Sequence, residues 1–172
     1  DEEIPMWGST IRDMWRFVRE REYFAGILVW TGFDYRGEPT PFDWPSVSSQ
    51  FGILDTCGFP KDAYYYHKAC FTSKPMVHLL PHWTWNVGDT VRTVAVTTCD
   101  EVELVLNGKS LGKKAADVCA PPEWMIEFET GEIVAKAYKN GVLVAEDKQI
   151  SAGEPKKIEL FLNNSSVNNC GQ

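Results

Sequence analysis

Two Asn-Gly pairs, at 107–108 and 140–141, constrain this chain more than any other feature of its sequence. A two-residue hairpin of type I′ needs positive φ at both central positions, which Asn and Gly adopt most readily. The flanks fit that geometry. EVELVL (101–106), IVAKAY (133–138) and VLVAED (142–147) alternate with period two, as does VRTVAVTT (91–98). Such runs make strands with one face buried and the other wet. Several short strands joined by tight turns predict an antiparallel β-sandwich. KPMVHLLPHW (74–83) then serves as linker and first strand, and 157–162 as a last strand before a polar tail, NNSSVNNCGQ, that has little to pack.

The first 73 residues follow another rule. In TIRDMWRFVRER (10–21), Ile11, Met14, Trp15 and Val18 fall at i, i+3, i+4 and i+7, one apolar stripe on a helix. Thr10 is placed to cap it, and Asp13 suits the positive end of the helix dipole. AGILVW (25–30) is an apolar run too short for a helix, as in a parallel strand buried on both faces. Gly32, Gly37, Pro39, Pro41 and Pro45 break regular structure after it. PKDAYYYHKACF (60–71) reads as a second helix, with Pro60 at its start and Asp62 in its first turn. One strand and two helices do not make an α/β domain, because a lone strand needs neighbours along its edges. Residues 1–73 are therefore expected to be the end of a larger domain.

The chain has 172 residues, 44% of them hydrophobic and 13% aromatic, enough to bury a core. Its formal charge of −7 argues against a nucleic-acid partner, which needs clustered Lys and Arg to displace counterions. No apolar run reaches the length of about 18 residues that spans a bilayer, so no membrane partner is expected. The first residues, DEEIPMWGST, lack the basic and apolar regions of a signal peptide and begin without Met, so a precursor's start is expected to precede them. Five cysteines show no metal-ligand spacing and read as mostly buried or incidental thiols; no metal or other cofactor is expected.

The loop after residue 30 carries Asp34, Glu38 and Asp43 beside Trp30, Phe33, Tyr35, Phe42 and Trp44. Flat aromatic faces stack on the C–H faces of a sugar while carboxylates accept from its hydroxyls, so the set suits a carbohydrate pocket. The residues alone fit equally well a reading in which Trp30, Phe33 and Tyr35 are core side chains and Asp34 and Asp43 cap turns.

At this point a family becomes recognisable. VWTGFDYRGEPTPFDWPSVSSQFGILDTCGFPKDAYYYHKACF (29–71) resembles the end of the (β/α)8 barrel of glycoside hydrolase family 2, in particular its bacterial β-galactosidase-like members. KPMVHLLPHWTW (74–85), CDEVELVLNGKSLGKK (99–114) and AKAYKNGVLVAEDK (135–148) resemble the sandwich that comes after that barrel. The likeness covers roughly residues 7–162. It implies a mixed fold: a terminal βα portion of a (β/α)8 TIM barrel at 1–73, an immunoglobulin-like antiparallel β-sandwich at 74–154, and at 155–172 a final strand or the start of a further domain with its tail.

The resemblance also implies a retaining glycosidase acting on β-galactosides or related β-linked sugars, with one glutamic acid as acid/base and a second as nucleophile. Both belong to barrel strands earlier than the one matched by 25–30, so they are expected upstream of Asp1 and the chain alone is expected to be inactive. Glu38 matches neither. The substrate-binding candidates are Trp30, as a wall of the pocket, with Asp34, Tyr35, Glu38 and Trp44. The expected partners are a carbohydrate substrate and the upstream barrel segment, in the same or a separate polypeptide. The residues do not fix the compartment; the resemblance admits a periplasmic or secreted bacterial parent.

Two other readings are testable in a structure. A carbohydrate-binding module would expose Trp83, Trp85 and Trp124 on a sheet face, whereas a structural brace would bury them. His67, His78 and His82 read as packed or interface histidines in preference to metal ligands, and Lys109, Lys113 and Lys114 as a solvated strand edge.

Overall fold

The computed structural model describes residues 9–161. Helix α1 (Ile11–Arg19) begins as its sequence dictates: the Thr10 hydroxyl accepts the Asp13 amide at 3.0 Å. Helix α2 (Asp62–Phe71) has Asp62 in its first turn and Lys68 in its last. Seven strands come next: β1 (Val77–Leu80), β2 (Thr90–Thr97), β3 (Glu101–Leu106), β4 (Lys109–Ala115), β5 (Glu123–Glu127), β6 (Glu132–Lys139) and β7 (Val142–Ile150). Asn107-Gly108 joins β3 to β4 and Asn140-Gly141 joins β6 to β7, with positive φ at all four residues.

The strands form two antiparallel sheets, β1-β2-β5 and β4-β3-β6-β7. Register explains the core between them. Val102 faces Ala137, Leu104 faces Ala135 and Leu106 faces Ile133, and all six are buried. Opposite them lie Leu79, Trp83, Val91, Ala95, Trp124, Ile126 and Phe128, in the same apolar cluster. Strand β2 is buried on both faces: its outer side, through Val96, meets a second cluster with Trp15, Tyr66, Ala69 and Cys119 that seats both helices. This is why a strand of a two-sheet core departs from simple alternation. Strand β4 lies at a sheet edge with its lysines in solvent, Lys113 over the ring of Tyr138.

Polar contacts tie helices to sheets. Glu123 of β5 takes Arg92 of β2 in a two-pronged pair at 2.8 and 2.9 Å, and Arg12 of α1 at 2.6 Å. The Arg92 hydrogen bonds, with Arg12, hold its carboxyl down at about 2 against the burial that would raise it. A depressed carboxylate contributes stability above its unfolded value, about 4.3, and loses it as pH falls through the folded one. Glu123→Gln is therefore expected to lower the urea midpoint at pH 7, with the difference from the parent chain shrinking below pH 4 and largely gone near pH 2. An unchanged difference at pH 2 would assign the effect to packing.

His78 of β1 bridges the same parts elsewhere. Its Nε2 lies 2.9 Å from Asp62 of α2, its Nδ1 3.5 Å from Asp147 of β7, and its ring stacks on Tyr65 at 3.7 Å. It is an interface residue, as the sequence suggests. His67 is buried and its Nδ1 accepts the Trp15 indole N–H at 3.2 Å; burial lowers its pKa.

Two expected strands are not formed. Residues 25–30 carry no ladder hydrogen bonds, and the expected burial is reversed: Leu28 is 101% exposed. An extended run gains strand geometry only from a neighbour's N–H and C=O groups, and none pairs with it here. Residues 157–161 likewise lie exposed with no partner strand; Leu162 and the tail fall outside the described residues. The four described cysteines, Cys57, Cys70, Cys99 and Cys119, are free thiols. Among the described residues no helix is long and apolar enough to cross a membrane.

Candidate functional site

Residues 31–60 contain neither helix nor strand, yet their backbone is closely tied. Asp34 N–H donates to Leu54 O at 2.9 Å and Leu54 N–H to Gly32 O at 3.0 Å. Gly37 N–H donates to Val47 O at 2.8 Å and Ser49 N–H to Tyr35 O at 2.8 Å, while the buried Ser49 hydroxyl accepts Tyr35 N–H at 3.1 Å. These bonds close the loop on itself as two arms that meet in parallel sense at Phe33 and Leu54 and in antiparallel sense at Arg36 and Ser48.

Asp34 locks the arms together. Its carboxylate accepts Gly52 N–H at 2.8 Å and lies 2.7 Å from the Lys61 ammonium, which also donates to Gln50 O at 3.2 Å. Its side chain is only 10% exposed. The outer arm carries a different arrangement. Trp30 Nε1–H donates to the Tyr35 hydroxyl at 3.2 Å, and that hydroxyl donates to Glu38 Oε2. The hydrogen bond to Glu38 is the main reason the Tyr35 phenol is raised above its ordinary pKa. Trp30 is 78% exposed, so its indole presents a free face whose edge is held.

Trp30 and Glu38 line an open cleft of about 430 Å³ with Thr40 and Phe51. Two aromatic faces, a hydroxyl and one carboxylate can stack on a ring and accept hydrogen bonds from it. Trp44 is also exposed but does not line this cleft. Tyr35 stands behind it as the link between Trp30 and Glu38. Lys61, Ser49, Gly52, Thr40 and Phe51 are not singled out by the sequence; a Lys or Gly in a loop carries no signal of a partner so distant along the chain.

A second cavity, about 410 Å³, lies between α1, α2 and the three-stranded sheet, where Arg12, Arg16 and Arg92 face Asp13 and Asp62. Arg12 and Arg92 are paired with Glu123 and Arg16 with Asp13 at 2.7 Å, so its cations are already matched. The sandwich tryptophans decide between a binding module and a brace. Trp83 and Trp124 belong to the core, and Trp85, partly exposed, stacks on His82 at 4.9 Å. The exposed platform of a binding module is not formed, because the alternation of β5 turns Trp124 inward.

The chain matches known proteins along most of its length. A family model described as a domain of unknown function, DUF4982, matches residues 88–145. "Beta-galactosidase BoGH2A" of Bacteroides ovatus is 44% identical over 156 residues, covering 90% of this chain and 18% of the relative. The crystal structure of a β-glycosidase from Bacteroides vulgatus superposes with a TM-score of 0.79 at 38% identity, covering 92% of this chain and 20% of that one. A structure of a β-glucuronidase from glycoside hydrolase family 2 superposes with a TM-score of 0.58 at 26% identity over 63% of this chain and 12% of its own. The chain thus spans a fifth or less of the length of each of these proteins.

Proposed function

We propose that the chain is a member of glycoside hydrolase family 2 and the C-terminal part of a retaining β-glycosidase that hydrolyses terminal β-linked sugars such as β-galactosides, as its likeness to a β-galactosidase and to a family 2 β-glucuronidase supports. Residues 1–73 correspond to the last part of the (β/α)8 barrel and 74–154 to an immunoglobulin-like sandwich bracing it. The exposed apolar residues at 28–30 support this reading, since a barrel strand is covered by neighbours on both edges and both faces. So does the charged contact of α1 and α2 with the sandwich through Glu123 and His78, which fixes one part against the other.

The observation that carries the proposal is the chain of hydrogen bonds from Trp30 through Tyr35 to Glu38 on an open rim. Barrel active sites are built from loops at the C-terminal ends of the strands, and 31–52 is such a loop. Trp30 forms an apolar wall for the glycone; Glu38 accepts a hydroxyl; Tyr35 orients both, Asp34 pins the loop through Lys61, and Trp44 contributes a further aromatic face at the rim.

Chemistry assigns the bond-breaking step elsewhere. Retention requires two carboxyls about 5–5.5 Å apart, one protonating the leaving oxygen and the other attacking the anomeric carbon. The cleft holds one carboxyl, and Asp34, on the same loop, is committed to Lys61 and Gly52. The acid/base and nucleophile therefore belong outside this sequence.

The test uses the full-length glycosidase that carries this segment, assayed on p-nitrophenyl β-glycosides. Trp30→Ala is expected to lower kcat/KM roughly 10- to 100-fold, the worth of burying one aromatic face. The 172-residue chain alone is expected to release no nitrophenol. Turnover by that chain near enzyme rates would overturn the placement of the glutamates, and unchanged activity in Trp30→Ala would remove the pocket wall.

A further inference from the structure

We infer that Glu38 determines specificity at this site, selecting neutral glycones and rejecting uronic acids. The inference rests on the reading of residues 30–45 as part of the sugar pocket. Relatives of the chain include both a β-galactosidase and a β-glucuronidase, so the family alone does not settle the charge of the sugar.

The cleft itself has a sign. Of Trp30, Glu38, Thr40 and Phe51, only Glu38 is charged, and its charge is negative. Neither Lys61 nor Arg36 lines the cleft. Lys61 is held by Asp34 and Gln50 on the inner side of the loop.

Glu38 is also prepared to receive a hydroxyl. One oxygen, Oε2, takes the Tyr35 proton, which leaves Oε1 with no partner among the described residues. A carboxylate only accepts, so a sugar hydroxyl completes it, whereas a uronate brings a second acceptor-only group of the same charge. When a bound sugar displaces the water between them, like charges at contact distance discriminate by about 100-fold or more.

Backbone geometry singles out the same residue. Glu38 sits at φ 46°, directly after Gly37 at φ 98°. A side chain in the left-handed region is unfavourable by comparison with glycine. Strain of this kind gathers where a side chain's placement matters to function. Here the strained residue is the one that brings the only charge into the cleft.

The experiment measures kcat/KM of the full-length enzyme on p-nitrophenyl β-galactoside and p-nitrophenyl β-glucuronide. The parent is expected to favour the galactoside by about 100-fold or more. Glu38→Gln keeps the size and an acceptor oxygen: galactoside turnover should fall less than about 10-fold while the preference over the glucuronide narrows at least 10-fold. Glu38→Asp keeps the charge and should retain the preference, which separates electrostatic selection from a damaged loop. Tyr35→Phe should lower both activities and leave their ratio standing. A parent that prefers the glucuronide, or an unchanged ratio in Glu38→Gln, overturns this inference and leaves the sugar pocket intact. No turnover of any β-glycoside, neutral or acidic, overturns the pocket and the inference together.

Discussion

Replacing Trp83 by alanine is expected to destabilise the chain by about 3–5 kcal/mol, the range for removing a buried aromatic side chain. Trp83 is 1% exposed and lies in the cluster shared by the two sheets, 5.3 Å from the ring of Phe128. Its Nε1–H donates to Glu129 O at 3.0 Å, so truncation removes packing and also leaves that carbonyl without its partner. Urea denaturation of the 172-residue chain measures the loss. Trp85→Ala is the matched comparison. That ring is 40% exposed and stacks on His82, so its removal should cost under about 1 kcal/mol. If the two substitutions cost the same, Trp83 does not hold the sheets together and the bracing role of the sandwich loses its main support.

That contrast shows where sequence reasoning reaches. Both tryptophans stand in HWTW, two positions apart, and on composition alone both are candidates for sugar contact or interface packing. Only the tertiary arrangement separates them. The hairpins are legible because a period-two pattern and an Asn-Gly turn are local facts, and the register pairing Leu104 with Ala135 grows out of them. Helix α1 is legible for the same reason, through its apolar stripe and Thr10. Strand β5, only five residues long and preceded by Pro121-Pro122, has no hairpin signal to reveal it. Residues 25–30 read as a buried strand because an apolar run implies cover, and cover is a property of neighbours that the run itself does not contain.

The candidate site divides in the same way. Trp30, Tyr35 and Glu38 are visible in the sequence as a crowd of aromatics and acids, but not as a hydrogen-bonded series. The inner lock is invisible there, since Asp34 meets Gly52 and Lys61 across separations of 18 and 27 residues. Asp34 illustrates the consequence: its type alone makes it a sugar-binding candidate, while its two partners show a carboxylate already occupied. Strong local patterns specify elements; a loop's function depends on which of its polar groups remain free after folding.

Gly52 is the point at which that loop is most exposed to a single change. Its amide donates to Asp34, and the glycine is buried against the opposite arm. A Cβ added there would overlap the backbone N of Asp34, the backbone C of Phe33 and the carbonyl O of Leu54. None of these is the tip of a flexible side chain, so the arms themselves must part. Separation breaks the Asp34–Leu54 backbone bond and loosens the grip of Asp34 on Lys61, both inside the turn that aims Trp30 and Glu38. A displacement near 1 Å of a positioning element costs about 100-fold in rate. Gly52→Ala in the full-length enzyme is therefore expected to lower kcat/KM on a β-galactoside by about 100-fold. A second readout needs no activity: trypsin should cut after Arg36, exposed in the outer arm, markedly faster in Gly52→Ala than in the parent chain. The urea midpoint of the sandwich should stay close to the parent value, because Gly52 belongs to neither apolar cluster. Lys61→Ala removes the cation beside Asp34 without a clash and leaves the Gly52 amide on that carboxylate, so it should produce a smaller effect in both assays. Were Gly52→Ala as active and as resistant to trypsin as the parent, the close approach of the two arms would not be what holds the rim in place.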